Sequence, residues 1–306
     1  MKLSIVSTLY RSALFVEEFC RRAKAAAEQL TDDYEIILVN DGSPDDSLAR
    51  ALALKDKHII VVDLSRNFGH HKAIMSGLEH SRGERVFLID SDLEEEPEWL
   101  AQFDTEMKAG NADAVFGIQK QRKGGWFERV SGNSFYACFH FMTGLDLPKN
   151  FVTARLMTRR YVDALLSFKE RELFLGGLFH LTGFTQHKVA VTKHYRGEST
   201  YTFSHKLALL VNAITSTTSR PLMMIFYIGL FIFLIALGLT GWLIVRWLFY
   251  AQPIVGWTSL MVSVWLLGGL IISFIGLIGI YLSKVFIETK QRPYTIVKEV
   301  HGQPQI

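Results

Sequence analysis

The sequence predicts an α/β fold: a doubly wound, mostly parallel sheet covered by helices on both faces. Two observations carry this. Short apolar runs alternate with helically spaced segments through residues 1–120. Those runs are continuously apolar rather than alternating, as parallel strands covered on both faces are. A third observation limits the domain: two long stretches, Leu222–Val245 and Ala251–Ser283, carry no charge.

The elements follow in order. Leu3–Thr8 predicts the first strand. Ala13–Leu30 sets Phe15, Phe19, Ala23, Ala26 and Leu30 at helical spacing. Glu35–Asn40 predicts a second strand, Ser47–Lys55 a helix and His58–Leu64 a third strand. His71–His80 gathers Ala73, Ile74, Gly77 and Leu78 on one side of a helix. Arg85–Ile89 predicts the fourth strand, Pro97–Ala109 a helix opened by its proline, and Ala112–Ile118 the fifth strand. Sheets of this kind bind ligands beyond the carboxyl ends of their strands. The chemistry is therefore expected just after Thr8, Asn40, Leu64 and Ile89.

From Gly124 the pattern loosens. Trp126–Thr143 is rich in aromatics and carries Arg129, with Arg122 and Lys123 just before it. It reads either as a helix lying in a membrane interface or as one packed on the sheet. Phe203–Ser219 is a second amphipathic segment and leads into the first charge-free stretch through Arg220-Pro221. About 20 apolar residues suffice to span a bilayer. The unit 221–283 is thus expected to be a transmembrane hairpin, with spans near 222–249 and 258–283 and a short uncharged connection. A wholly soluble chain and a many-helix transporter are both excluded. Arg220 precedes the hairpin, and Lys284, Lys290, Arg292 and Lys298 follow it. The positive-inside rule then places residues 1–220 and the tail 284–306 on the cytoplasmic side. Arg246, near the far end of the first span, can snorkel to the other interface. The N-terminal apolar run is too short for a signal peptide. A net charge of +3 gives no argument for nucleic acid. Cys20 and Cys138 suggest neither a disulfide framework nor a zinc site.

Each expected strand end carries polar residues. Asp90 and Asp92 flank Ser91 after Val86–Ile89. Two such carboxylates suit Mg²⁺ or Mn²⁺ bridging to a diphosphate, with Glu94 as a candidate third ligand. The plainer reading of these acids is a turn and a helix N-terminus. Glu95 and Glu96 read as helix-start acids. Asp41 suits either an Asx-turn or a hydrogen bond to a nucleotide base. Tyr10 either stacks on that base or covers the end of the sheet. Arg66 suits a phosphate or base contact, or a surface ion pair. Asn67 and Gly69 read as turn residues, and His70 and His71 as a loop and helix start.

The order and spacing of these pieces resemble family 2 glycosyltransferases with the nucleotide-sugar-binding GT-A fold. Nearest is the polyprenyl-phosphate type, represented by dolichol-phosphate mannose synthase and the bactoprenol glucosyltransferases. The resemblance runs through Val39-Asn40-Asp41-Gly42-Ser43, Leu64-Ser65-Arg66-Asn67-Phe68-Gly69, Asp90-Ser91-Asp92-Leu93 with Pro97, and Arg155-Leu156-Met157. It continues through Gly197-Glu198-Ser199 with Tyr201, and Arg292-Pro293. It implies nucleotide contacts from Thr8, Tyr10, Asp41, Arg66 and Asp90. It implies a metal, Mg²⁺ or Mn²⁺, on Asp92 with Asp90 and Glu94, and a catalytic set of Asp90, Asp92 and Arg196. Acceptor or phosphate contacts fall to Arg155, Lys193, Arg196, Ser199 and Lys206. The implied reaction is inverting transfer from a nucleotide-sugar to polyprenyl (undecaprenyl) phosphate, at the cytoplasmic face of a bacterial inner membrane, by a homo-oligomer. The chain departs from the family pattern at Thr8 (usually Pro), Arg11 (Asn), Glu94 (Gln), Thr153 (Asp) and Thr200 (Lys). Two rival readings stand beside this one. A membrane-anchored nucleotide-sugar binder without catalysis would fit the departures. A processive polysaccharide synthase lacks support, because no Gln-x-x-Arg-Trp motif precedes the membrane part.

Overall fold

The computed structural model describes residues 1–119, 137–145, 148, 150–171, 173–193, 203–250 and 256–302. Its strands are β1 (Leu3–Leu9), β2 (Tyr34–Asn40), β3 (Ile59–Leu64), β4 (Arg85–Leu88), β5 (Ala114–Gln119), β6 (Phe151–Thr158), β7 (Gln186–Val191) and β8 (Val297–His301). They form one sheet in the order β7-β5-β6-β4-β1-β2-β3-β8. Strands β4, β1, β2 and β3 run parallel, as do β5 and β7. Strand β6 runs antiparallel between β4 and β5, and β8 antiparallel along β3.

Two cores cover the sheet. On one face α1 (Val16–Glu28), α2 (Ser47–Ala53) and α4 (Trp99–Gly110) pack Phe19, Ala51 and Phe103 against Ile5, Leu38 and Phe87. On the other, α3 (His70–His80), α6 (Arg159–Ser167) and α7 (Leu175–Leu181) pack Leu78, Tyr161 and Leu178 against Val6, Val39 and Met157. Consecutive strand residues thus feed opposite cores, which is why these runs are apolar throughout. Residues 137–143 are helical (α5), and Phe139 joins Ala213 and Ile214 of α8 (Phe203–Thr217) in a small third cluster. Phe141, on the same short helix, is exposed. The remainder of the aromatic segment near 126–143, up to residue 136, lies outside the described residues.

The five expected strands form within a few residues of their expected bounds. Strands β6, β7 and β8 are additions that the pattern did not reveal. Strand β6 interrupts its apolar run with Arg155, and β8 (Val-Lys-Glu-Val-His) is a charged edge strand of the kind that discourages further pairing. The tail, whose return to the same side as the domain suggests a contact with it, therefore completes the sheet. Ser65 N donates to Ile296 O (2.9 Å), Lys298 Nζ lies 3.4 Å from Asp63 Oδ2, and Tyr294 OH donates to Glu79 Oε2 (2.8 Å).

Two long helices precede it, α9 (Arg220–Tyr250) and α10 (Trp257–Thr289). The expected spans, 222–249 and 258–283, fall inside them. Among the described residues, Leu266–Thr289 is long and apolar enough to cross a bilayer. The run from Leu210 to Ala236 qualifies as a second only across a 91° bend between α8 and α9. Near the domain, Tyr281 OH donates to Thr218 O (2.7 Å) and Lys284 Nζ to Ser216 Oγ (2.6 Å). Arg171 N donates to Glu288 Oε1 (2.7 Å). The end of α10 thus sits against α8, the α8–α9 junction and the loop at Arg171.

Removing residues 290–306 strips the β3 edge of its partner. Each kcal/mol lost shifts Tm by about 2–4 °C in a domain of this size. Thermal unfolding of the truncated protein should show a Tm lower by at least about 4 °C; an unchanged Tm would contradict the role given to β8.

Candidate active site

Because β4, β1, β2 and β3 are neighbours with one direction, their carboxyl ends form a single row. It presents Asp90–Asp92, Thr8–Tyr10, Asn40–Gly42 and Ser65–Gly69. The strand order reverses at β1, where sheets of this type open a crevice.

Ser91 ties the middle of the row. Its hydroxyl donates to Thr8 O (2.8 Å) and lies 3.0 Å from Ser12 Oγ. With Ser91 buried in the fold, Asp90 and Asp92 stand half-buried on either side of it. Leu93 takes a left-handed φ of 58°, and Glu94 N then donates to Asp92 Oδ1 (2.9 Å). Such backbone strain gathers at functional sites. Burial, and after it the charge of Asp90, hold the Asp92 carboxyl above the usual range.

Glu94 does not join the two aspartates. Its Oε2 lies 3.1 Å from Lys193 Nζ, just beyond β7. Among the described residues no three His, Cys, Asp or Glu side chains gather to hold a metal. In this structure a Glu94–Lys193 ion pair thus stands beside the aspartate pair. Glu95 is the residue that sequence reasoning missed. It is fully buried; Oε1 accepts the Thr153 N–H (2.9 Å) and lies 3.8 Å from Lys193 Nζ, while Oε2 has no hydrogen-bond partner among the described residues. Burial, reinforced by the charge of Asp90, pushes its carboxyl up to about 8. A run of three glutamates before a proline carries no signal to mark the middle one. Burial opposes the charge on Lys193, yet Glu95 and Glu94 hold its ammonium protonated above the usual range.

Asp41 is buried, and its two oxygens accept the N–H groups of Phe68 (2.7 Å) and Gly69 (3.0 Å). Gly42 permits this approach: its φ is 56°, and a Cβ there would lie 2.5 Å from backbone atoms of Arg66 and Asn67. Tyr10 is half-exposed, with the Arg11 guanidinium 5.6 Å from its ring centre. Arg66 lies 4.1 Å over the Phe68 ring. Thr8 Oγ1 sits 3.2 Å from His70 Nδ1, and His70 Nε2 sits 3.4 Å from Asp90 Oδ1. His70 thus touches two strand ends rather than merely opening α3.

Arg155 is buried on β6, its guanidinium 3.2 Å from the Phe179 ring centre. Burial lowers its pKa to about 10, which still leaves it charged at neutral pH. A cavity of about 720 Å³ between α7, β5 and β7 includes Arg155 in its wall but none of the strand-end aspartates. Arg196 and Ser199 lie outside the described residues, as does the side chain of Lys206 on α8.

Residues 4–166 match the family described as Glycosyl transferase family 2. A Mycobacterium tuberculosis (strain CDC 1551 / Oshkosh) protein named among glycosyltransferases is 49% identical over 304 residues, 99% of this chain and 89% of that one. The SfII prophage-derived bactoprenol glucosyl transferase of Shigella flexneri is 31% identical over 310 residues, 99% of this chain and 100% of that one. Glucosyl-3-phosphoglycerate synthase from Mycobacterium tuberculosis, solved with Mn²⁺, uridine diphosphate and phosphoglyceric acid, matches with a TM-score of 0.52. Its identity is 18%, over 72% of this chain and 78% of that one, and the likeness is one of fold. Sequence and fold agree with the row of strand ends: the chain belongs to glycosyl transferase family 2 and is a glycosyltransferase.

Proposed function

We propose that this glycosyltransferase moves a sugar from a nucleotide-sugar to a polyprenyl phosphate, with inversion at the anomeric carbon. The observation that carries the reading is the Asp90–Asp92 pair at the β1/β4 crevice, on a chain whose last long apolar helix is bonded back to the same domain. The end-to-end likeness to a bactoprenol glucosyl transferase supports the choice of acceptor.

Each group has a task. Asp41, Tyr10, Thr8 and Arg66 line the part of the row that takes the base and ribose. Asp90 and Asp92 fit Mg²⁺ or Mn²⁺, since Mg²⁺ binds through one or two carboxylates plus substrate phosphates. A cation bound there would neutralise charge on the nucleoside diphosphate as it leaves. Glu94 stays with Lys193. Lys193, Arg155, Arg196 and Lys206 are assigned the positive charge that meets the acceptor phosphate, and Ser199 a hydroxyl that donates to it. That phosphate is already anionic near neutral pH, its second pKa being about 6 as in phosphorylated side chains. It needs alignment more than a general base, so Thr153 in place of an acid is tolerable. Residues 1–220, joined by β8, form the catalytic unit at the cytoplasmic face of a bacterial inner membrane. Helices α9 and α10 hold it beside its lipid substrate.

Purified protein should be given undecaprenyl phosphate, a panel of nucleotide-sugars and Mn²⁺, with the lipid product read by mass spectrometry. One donor should yield a lipid-phosphate-sugar, and chelator should stop it. Asp92→Asn should cut the rate by at least about 100-fold at unchanged Tm, the scale seen when a key charge-stabilising group is removed. Tight nucleotide binding without turnover on any donor would overturn the reading in favour of a binder.

Glu95 makes a separate prediction. Its folded pKa is raised, so its contribution to stability is full below the ordinary glutamate range and is lost as pH rises through about 8. In chelator-treated protein, Glu95→Gln should therefore gain in Tm over wild type between about pH 5 and pH 9. An equal Tm difference at both ends would contradict the buried, raised carboxyl.

A further inference from the structure

We propose that His70 is a positioning residue for Asp90, and that Thr8 sets the tautomer in which it acts; this rests on the transfer reading above. Asp41 holds the N–H groups of Phe68 and Gly69, and Gly69 O accepts from Lys72 and Ala73 to start the helix. His70, the next residue, is thereby set across the β1/β4 crevice. One ring nitrogen faces Thr8 Oγ1 at 3.2 Å and the other faces Asp90 Oδ1 at 3.4 Å.

The hydrogen inventory leaves one arrangement for a neutral ring. An ionised carboxylate only accepts, whereas a hydroxyl both donates and accepts. Nε2 must therefore carry the proton toward Asp90, and Nδ1 must accept the Thr8 hydroxyl. The second contact is an ion-pair distance and not a formed hydrogen bond in this structure. Hydrogen bonds at catalytic sites are often long without ligands and tighten in the complex. An N–H brought onto Oδ1 would fix the rotation of the Asp90 carboxylate. Partners of this kind orient metal-binding carboxylates, and losing one costs about 10–100-fold in affinity or activity. The arrangement also gives a physical account of Thr8. Where the family resemblance implies proline, this chain supplies the hydroxyl that His70 needs.

The test compares wild type with His70→Ala, His70→Gln and Thr8→Val. Gln keeps an N–H at the place of Nε2, and Val keeps the shape of Thr without its hydroxyl. Mn²⁺ affinity would be measured by electron paramagnetic resonance with a nucleoside diphosphate present, alongside kcat and donor KM. His70→Ala should weaken Mn²⁺ binding about 10–100-fold and lower kcat more than it raises KM. His70→Gln should recover most of both, and Thr8→Val should fall between. Nitrogen NMR of ¹⁵N-histidine-labelled protein should show the Nε2–H tautomer for His70 in wild type and a mixture in Thr8→Val. Wild-type Mn²⁺ affinity in His70→Ala, or His70→Gln as impaired as His70→Ala, overturns the inference. If wild type proves to turn over no donor, the transfer reading fails but the NMR signature still decides this one. An Nδ1–H tautomer, or a ring unmoved by Thr8→Val, overturns it.

Discussion

The hold of Asp41 on the backbone of Phe68 and Gly69 is the interaction on which the site depends. A buried carboxylate is costly unless hydrogen-bonded, and bonds to a charged group contribute about 1.5–3 kcal/mol each. The bond joins the end of β2 to the loop after β3 and so fixes the first residue of α3. That residue, His70, reaches Thr8 on β1 and Asp90 after β4. Ser91 closes the circuit by bonding back to Thr8 O. Four strand ends are thus held by side chains as well as by the sheet ladder. A larger residue at Gly42 would break the circuit by forcing the two loops apart.

The same region crowds carboxyl groups around one ammonium. Asp90, Asp92, Glu94 and Glu95 lie within six residues, and Lys193 is paired with one of them and close to another. The raised carboxyls of Asp92 and Glu95 express that crowding, together with burial. Local rules are broken here in several ways: a buried Glu oxygen lacks a partner among the described residues, a leucine is left-handed and an arginine is fully buried. Conflicts of this sort concentrate where a protein binds charged ligands rather than where it stores stability.

Much of this was legible in the residues. Continuous apolar runs reveal β1 to β5 because burial on both faces leaves no polar alternation, and the chemistry follows from where such strands end. Helices α9 and α10 contain the expected spans 222–249 and 258–283, since long charge-free runs mark themselves by composition alone. What escaped depends on tertiary contacts. Arg155 disguises β6, since only the Phe179 ring and the sheet above it make that position an interior one. Strand β8 is mostly polar and is a strand only because β3 offers an unpaired edge. Glu95 is indistinguishable from its neighbours until Thr153 N–H arrives from β6. His70 reads as a helix start until Asp41 sets its direction.

The pairing of β8 with β3 links the long helices to the row itself, because Ser65, at the end of β3, bonds to Ile296. The long apolar helices and the row of strand ends are therefore parts of one continuous structure. The central claim is that the donor lies across these strand ends. Hydrogen–deuterium exchange with and without a nucleoside diphosphate and Mn²⁺ tests it most directly. The account predicts new protection over residues 40–46, 65–71 and 90–95. Protection confined to residues 176–188, around the separate cavity under α7, would contradict it.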